Sequence, residues 1–71
     1  MKSIYPNLSN LMAERGMTYD DLAEVTLTDA DTVSQKMIGL IPWLLVDAMR
    51  ICSHFRTSDI NFLFLQLDTN T

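Results

Sequence analysis

The residue types that could carry covalent chemistry are scarce in this sequence. It has one histidine and one cysteine, His54 and Cys52, and they stand two positions apart. On a helix, residues two apart point to different sides, so this thiol and imidazole would not form a nucleophile–base pair. The carboxylates are spread along the chain, without the grouping of Cys, His and carboxylate ligands that holds a metal. The sequence therefore predicts no enzyme, no small-molecule substrate and no metal or cofactor site.

A second set of polar residues has a spacing suited to recognition. In the stretch TLTDADTVSQKMIGL (26–40), Asp29, Asp31 and Gln35 are followed by Lys36, the only base of the stretch. Side chains of these types on a helix can hydrogen-bond to base edges, and Gln and Lys can also donate to phosphates. They can equally pair with cationic side chains of another protein.

The local charge favours a protein over DNA as the partner. The 71 residues carry a net charge of −4 at pH 7, and the charged residues between Thr18 and Gln35 are all acidic. Affinity for DNA comes largely from neutralising phosphates, and acidic side chains act against it. We therefore expect DNA binding to be possible but weak.

Helices are predicted to position these residues, because apolar side chains recur every three or four positions. Pro6 begins the first helix, and Gly16 ends it in a left-handed conformation. Thr18 and Asp21 resemble a capping box at the start of the second helix.

The remaining helices have similar signals. Thr28, with Asp31 three residues later, repeats the capping pattern, so the third helix begins near Asp29 and ends at Gly39. The fourth runs from Leu44 to Phe55, and Ser58 caps a short fifth helix. The predicted core residues are Leu11, Leu22, Val33, Leu45, Ile51 and Phe55.

The chain is long enough for one small domain, which we assign to residues 1–71 with a frayed tail at 68–71. The apolar run LIPWLLV (40–46) is far shorter than the roughly 20 residues that span a bilayer. The N-terminus has no apolar stretch of signal-peptide type, and a lone Cys52 is typical of a reducing compartment. These features predict a cytoplasmic protein without membrane contact.

The order of motifs carries a resemblance to a known family. NLSNLMAERGMTYDDLAEVTLTDADTVSQKMIGL, followed by PW and VDAMRICSHF, resembles the Cro/CI-type (XRE-like) helix-turn-helix regulators of phages and bacteria. The matching features are Gly16-Met17-Thr18, Leu22-Ala23, Thr32-Val33-Ser34, Gly39, DAMRI and INFLF. The resemblance implies an all-α, five-helix, lambda-repressor-like domain with its helix-turn-helix at about 18–38. The YPNL start and small size are most similar to regulators of phage lysogeny modules.

Several positions depart from the family pattern. Tyr19 stands where the family has a phosphate-binding Gln, and Leu27 stands in a turn that often has Gly. Ile38 and Leu40 replace polar and basic residues that face phosphate. The positions that read bases in the family are Asp29, Ala30, Asp31 and Gln35.

Three functions follow from the resemblance and its departures. The favoured hypothesis is an antirepressor, a regulator that binds a phage repressor through Asp29, Asp31, Gln35, Leu40 and Trp43. The alternative is a Cro-like repressor, acting as a homodimer, that binds DNA through Tyr19, Asp29, Ala30, Asp31, Gln35 and Lys36. A third is a helical interaction module of another kind, such as a toxin–antitoxin component.

Overall fold

The computed structural model describes residues 3–67, and every regular element in that range is a helix. The five helices are α1 (Pro6–Glu14), α2 (Tyr19–Thr26), α3 (Ala30–Met37), α4 (Leu45–Phe55) and α5 (Ile60–Leu63). This order confirms the predicted all-α, five-helix class. The tail predicted at 68–71 lies outside the described residues. Within them, no helix is long and apolar enough to cross a membrane.

The residues predicted to begin α1 and to end α1 and α3 have these roles in the structure. Pro6 is the first residue of α1, where its missing N–H breaks no helical hydrogen bond. Gly16 and Gly39 follow α1 and α3 with φ of 65° and 87°, values that glycine adopts without strain. At Gly39 a Cβ would also lie 2.8 Å from Cδ1 of Ile4, so the end of the Ile4 side chain would have to move.

The core consists of the inward-facing apolar residues of all five helices. Leu22, Val33 and Ile51 are completely buried and Phe55 nearly so, which confirms four of the predicted core positions. The other buried apolar residues are Tyr5, Leu8, Met12, Ala23, Met37, Ala48, Cys52 and Leu63. Helix α2 packs against both α3 and α4, so its position determines how α3 is presented.

Two predicted core positions differ from the observed core. Leu11 is only partly buried against the cluster, and Leu45 is 70% exposed. Leu45 lies in the first turn of α4, beside an open groove between that helix and the C-terminal segment around Phe64. The helical period correctly places Leu45 on the same side of α4 as Ala48, but no element among the described residues packs on this first turn.

The two ends of the described chain meet beside α3. The N–H of Ile4 donates to the carbonyl of Met37 at 2.9 Å, and the N–H of Leu67 donates to the carbonyl of Ile4 at 2.7 Å. The ring of Phe64 packs edge-on against Tyr5 and Trp43. These contacts fix the C-terminal end of α3 and leave its N-terminal end exposed.

Candidate recognition surface

Helices α2 and α3 form a helix-turn-helix whose first helix is capped as predicted. The Thr18 hydroxyl accepts from the N–H of Asp21 at 3.2 Å, and the Asp21 carboxylate accepts from the N–H of Thr18 at 2.9 Å. At the turn, Leu27 adopts φ 60° and ψ 44°, the left-handed conformation usually made by glycine. The N–H of Thr28 then donates to the carbonyl of Ala23 at 2.9 Å. The turn therefore keeps its geometry without a glycine.

The cap of α3 is one residue further along than predicted. Asp29, rather than Thr28, is the capping residue, and its carboxylate accepts from the N–H of Thr32 at 2.8 Å. That backbone hydrogen bond lowers the pKa of the exposed Asp29 carboxyl below its ordinary value of 3.8. Asp31 is exposed and takes no part in the cap. The same shift occurs at α5, where Asp59 caps the helix instead of Ser58.

One side of α3 presents polar groups to solvent. Asp31 and Gln35 are four residues apart on the same side of the helix, and both are exposed together with Asp29. We call these three residues the acidic face. Ala30 and Tyr19 are only partly exposed, and Tyr19 also packs against the core.

Lys36, predicted as a DNA contact, is buried instead. Its Nζ lies 2.6 Å from Oδ2 of Asp47, and the two side chains are only 9% and 7% exposed. The same Oδ2 accepts from the N–H of Leu44, at the start of α4. Lys36 is one residue before buried Met37 and three after Val33, so the helical period had placed it on the inner side. It therefore cannot reach a phosphate in this conformation.

Trp43, predicted as an apolar contact for a partner, is mainly a packing residue. Its ring lies edge-on to Phe64, with centroids 5.8 Å apart, and Lys36 Nζ is 5.3 Å from its centroid. Its Nε1 is buried and has no hydrogen-bond partner among residues 3–67. The exposed apolar groups of the loop between α3 and α4 are Leu40 and Leu44.

The helix-turn-helix has an acidic surface as a result. From 18 to 38 its exposed or half-exposed charged residues are Asp20, Asp21, Glu24, Asp29 and Asp31. The one base of this segment, Lys36, is neutralised inside the fold by Asp47. The surface that would face a phosphate backbone thus offers no exposed cationic side chain.

The residues with catalytic potential are separated by the fold. Cys52 is buried, and burial raises the pKa of its thiol, with a smaller contribution from the nearby Asp59 carboxylate. His54 is exposed on the outer side of α4. Across residues 3–67 there is no group of three or more His, Cys, Asp or Glu side chains placed to hold a metal ion.

A second exposed surface was not anticipated from the sequence. Leu27 at the turn is 75% exposed, and Val46 and Met49 are exposed on the outer side of α4. The sequence pattern contained a signal for this, because α4 has apolar residues on more than one side. Which of them would be covered depends on neighbours distant in sequence.

Comparison with known proteins was made against families, curated sequences and solved structures. A family model described as a Cro/C1-type HTH DNA-binding domain matches residues 7–59, from the first turn of α1 to the cap of α5. No curated protein and no solved structure matches the chain. The match includes both helices of the helix-turn-helix and the whole of α4.

Proposed function

Since the chain belongs to the Cro/C1-type helix-turn-helix DNA-binding family, we propose that it regulates transcription chiefly by binding another regulator. Family membership identifies a transcriptional regulator of DNA-binding type. The proposal adds that the surface used by the family for DNA is used here for a repressor protein. The partner is a phage repressor, in line with the resemblance to lysogeny regulators, and the complex forms in the cytoplasm.

The observation that carries this proposal is the burial of Lys36 beneath an acidic face. Asp29 and Asp31 are exposed at the start of α3, and the one base of the helix is paired with Asp47 inside the fold. Phosphates repel such a face, and no counterions are released on contact. A repressor's own DNA-reading surface is basic, so the same face complements it.

The loop after α3 supports a protein partner for a separate reason. Leu40 and Leu44 are 70% and 58% exposed there, so the acidic face has apolar side chains following it along the chain. Exposed apolar groups beside charged ones are typical of protein contacts. The complex would then combine charge pairing by Asp29 and Asp31 with burial of Leu40.

A Cro-like repressor that binds DNA directly is the second candidate. It is favoured by the family match and by the intact geometry of the helix-turn-helix, including the left-handed turn at Leu27. Tyr19 could donate a hydrogen bond to phosphate, and Asp29 or Asp31 could accept from cytosine N4. Because the helix-turn-helix exposes no cationic side chain, we expect a dissociation constant near the non-specific range of about 10⁻⁴–10⁻⁶ M.

The deciding experiment changes the acidic face without disturbing the cap of α3. The double variant Asp29→Asn, Asp31→Asn removes both charges, and Asn still accepts the N–H of Thr32. The control Asp20→Asn, Glu24→Gln removes the same charge from exposed positions of α2. The partner regulator is first isolated from the native host with the tagged parent chain as bait. The rate at which it associates with the parent and with each variant is then measured by surface plasmon resonance.

We expect the double variant to associate several-fold more slowly than the control at low salt, and the difference to shrink at high salt. Equal rates for the double variant and the parent at low salt would show that the acidic face is not the contact surface. A parallel titration with the flanking intergenic DNA tests the second candidate. Nanomolar, sequence-specific binding there would establish the Cro-like function instead.

A further inference from the structure

The turn of the helix-turn-helix holds a leucine in a backbone conformation that leucine disfavours. Leu27 has φ 60° and ψ 44°, whereas a glycine would make the same turn without strain. Its side chain is 75% exposed, so packing within the chain does not offset this strain. Arg56 is the other non-glycine residue of the described chain with positive φ, but its charged side chain is stable in water. A contact outside the chain would explain why Leu27 combines strain with an exposed apolar side chain.

Leu27 borders a shallow apolar groove between α2 and α4. Val25 lies beside it on the α2 side, and Val46 and Met49 line the α4 side. Val46 and Met49 are 45% and 56% exposed, so the apolar surface of the groove is open to solvent. Contiguous exposed apolar surface of this kind is typical of a protein contact.

The charges along the groove are mixed and do not by themselves select a partner. Arg50 and His54 line its α4 side. His54 also lines an adjoining depression together with Asp21 and Glu24. Affinity within the groove must therefore come mainly from apolar contact, and the charges that select a partner lie at its edge.

The acidic face of α3 begins at that edge. Asp29 follows Leu27 by two residues, so their Cα atoms are no more than about 7 Å apart. Leu40, the other apolar side chain proposed to contact the repressor, is separated from Asp29 by the eight residues of α3, which is about 12 Å of helix. Leu27 is therefore the large exposed apolar side chain that is nearest to Asp29 along the chain.

We propose that Leu27 is an apolar anchor of the repressor contact, and that the interface continues from the acidic face around the turn into this groove. The inference rests on the proposed function and adds to it the chemistry of the repressor surface. That surface carries an apolar side chain that packs on Leu27 and Met49, next to Arg or Lys side chains that face Asp29 and Asp31. Burial of the Leu27 side chain in the complex offsets the strain of its backbone.

A basic repressor surface suits this position better than DNA or a second copy of the chain does. Phosphates are repelled by Asp29 and gain nothing from an apolar side chain such as Leu27. The helix-turn-helix of a second copy exposes no cationic side chain that could pair with Asp29. A repressor's reading surface has such side chains, because it binds phosphates itself.

Two substitutions remove the Leu27 side chain and keep the turn. Leu27→Gly and Leu27→Asn both accept the left-handed conformation, since glycine has no Cβ and the short polar side chain of Asn tolerates it. Leu65→Ala is the matched control, because Leu65 is a 60% exposed leucine in the segment after α5, outside this surface. Met49→Gln tests the opposite side of the groove.

Surface plasmon resonance measures how fast each variant dissociates from the repressor that is isolated with the parent chain as bait. We expect both Leu27 variants to dissociate about tenfold faster than the parent and Met49→Gln several-fold faster, as for buried apolar anchors, with Leu65→Ala unchanged. Thermal unfolding of Leu27→Gly should give a midpoint at or above the parent's, because the relief of strain offsets the extra freedom of glycine in the unfolded chain. Faster dissociation would then not result from a weakened fold.

Failure of this inference and failure of the proposed function give different results. If the parent captures no repressor, both fail. If it captures one and Asp29→Asn, Asp31→Asn slows association, but the Leu27 variants dissociate at the parent's rate, the inference alone is overturned. It is also overturned if the parent self-associates in analytical ultracentrifugation and Leu27→Gly is monomeric, since a second copy would then cover this side chain.

Discussion

Lys36→Met should remove a large fraction of the domain's free energy of unfolding. The Lys36 ammonium and the Asp47 carboxylate are 2.6 Å apart with side chains only 9% and 7% exposed. Removing one partner of a buried pair costs about 3–5 kcal/mol, because the remaining charge is left in a poor environment. A chain of 71 residues is stable by about 4–11 kcal/mol in total.

The charged group that stays behind determines which of the two single substitutions lowers the free energy of unfolding more. In Lys36→Met the short Asp47 side chain cannot reach solvent and keeps only the N–H of Leu44, at 3.3 Å. In Asp47→Leu the long Lys36 side chain can extend to water, but α4 loses a hydrogen bond at its start. We therefore expect Lys36→Met to lie at the upper end of the range.

The double variant Lys36→Met, Asp47→Leu tests whether the domain needs the ion pair itself or only side chains that fill the same volume. Replacing both charges by apolar groups of similar size is often neutral or stabilising. The lost hydrogen bond to Leu44 costs about 0.5–2 kcal/mol, as for other helix caps. We expect the double variant to be within about 2 kcal/mol of the parent, far from the sum of the two single changes.

The free energies of unfolding of the parent, the two single variants and the double variant are measured by urea titration. Circular dichroism and Trp43 fluorescence monitor the unfolding. Trp43 is the sole tryptophan and lies 5.3 Å from Lys36 Nζ, so its emission reports the region directly. If the free energy of unfolding of Lys36→Met were within about 1 kcal/mol of the parent's, the pair would contribute no more than a surface ion pair does. That result would refute the reasoning.

Two further predictions concern the core and the cap of α3. Leu22→Ala should cost about 2–5 kcal/mol in urea unfolding, because Leu22 is completely buried where α2 meets α3 and α4, and an effect below about 1 kcal/mol would contradict that burial. Asp29 has a folded-state pKa below its ordinary 3.8, so its carboxylate stabilises the fold above that value and loses this effect as the pH falls through the lowered pKa. The stability difference between the parent and Asp29→Ala should therefore shrink on acidification, and a difference independent of pH would exclude a role for the carboxylate charge.

The elements of this fold could be predicted from the sequence because their signals are local. Thr18 and Asp21 are three residues apart, and the hydrogen bonds that begin α2 form between these two residues alone. Gly16 and Gly39 act through their own backbone angles. The periodicity that buries Leu22 is contained within one helix. These interactions need no distant partner, so their energies can be inferred from neighbouring residues.

The character of the surface was decided by contacts between residues far apart in the chain. Lys36 is predicted as a DNA contact from its place after the acidic residues of α3, but the fold buries it beside Asp47, eleven positions later. Trp43 is held inward by Phe64, whereas Leu45 is exposed because no segment within residues 3–67 covers the first turn of α4. A buried charge is tolerated only where an opposite charge meets it, and an apolar side chain is buried only where another element packs on it. Both conditions depend on how the helices are placed in space, so the sequence determined the helices, while the tertiary structure decided which side chains a partner can reach.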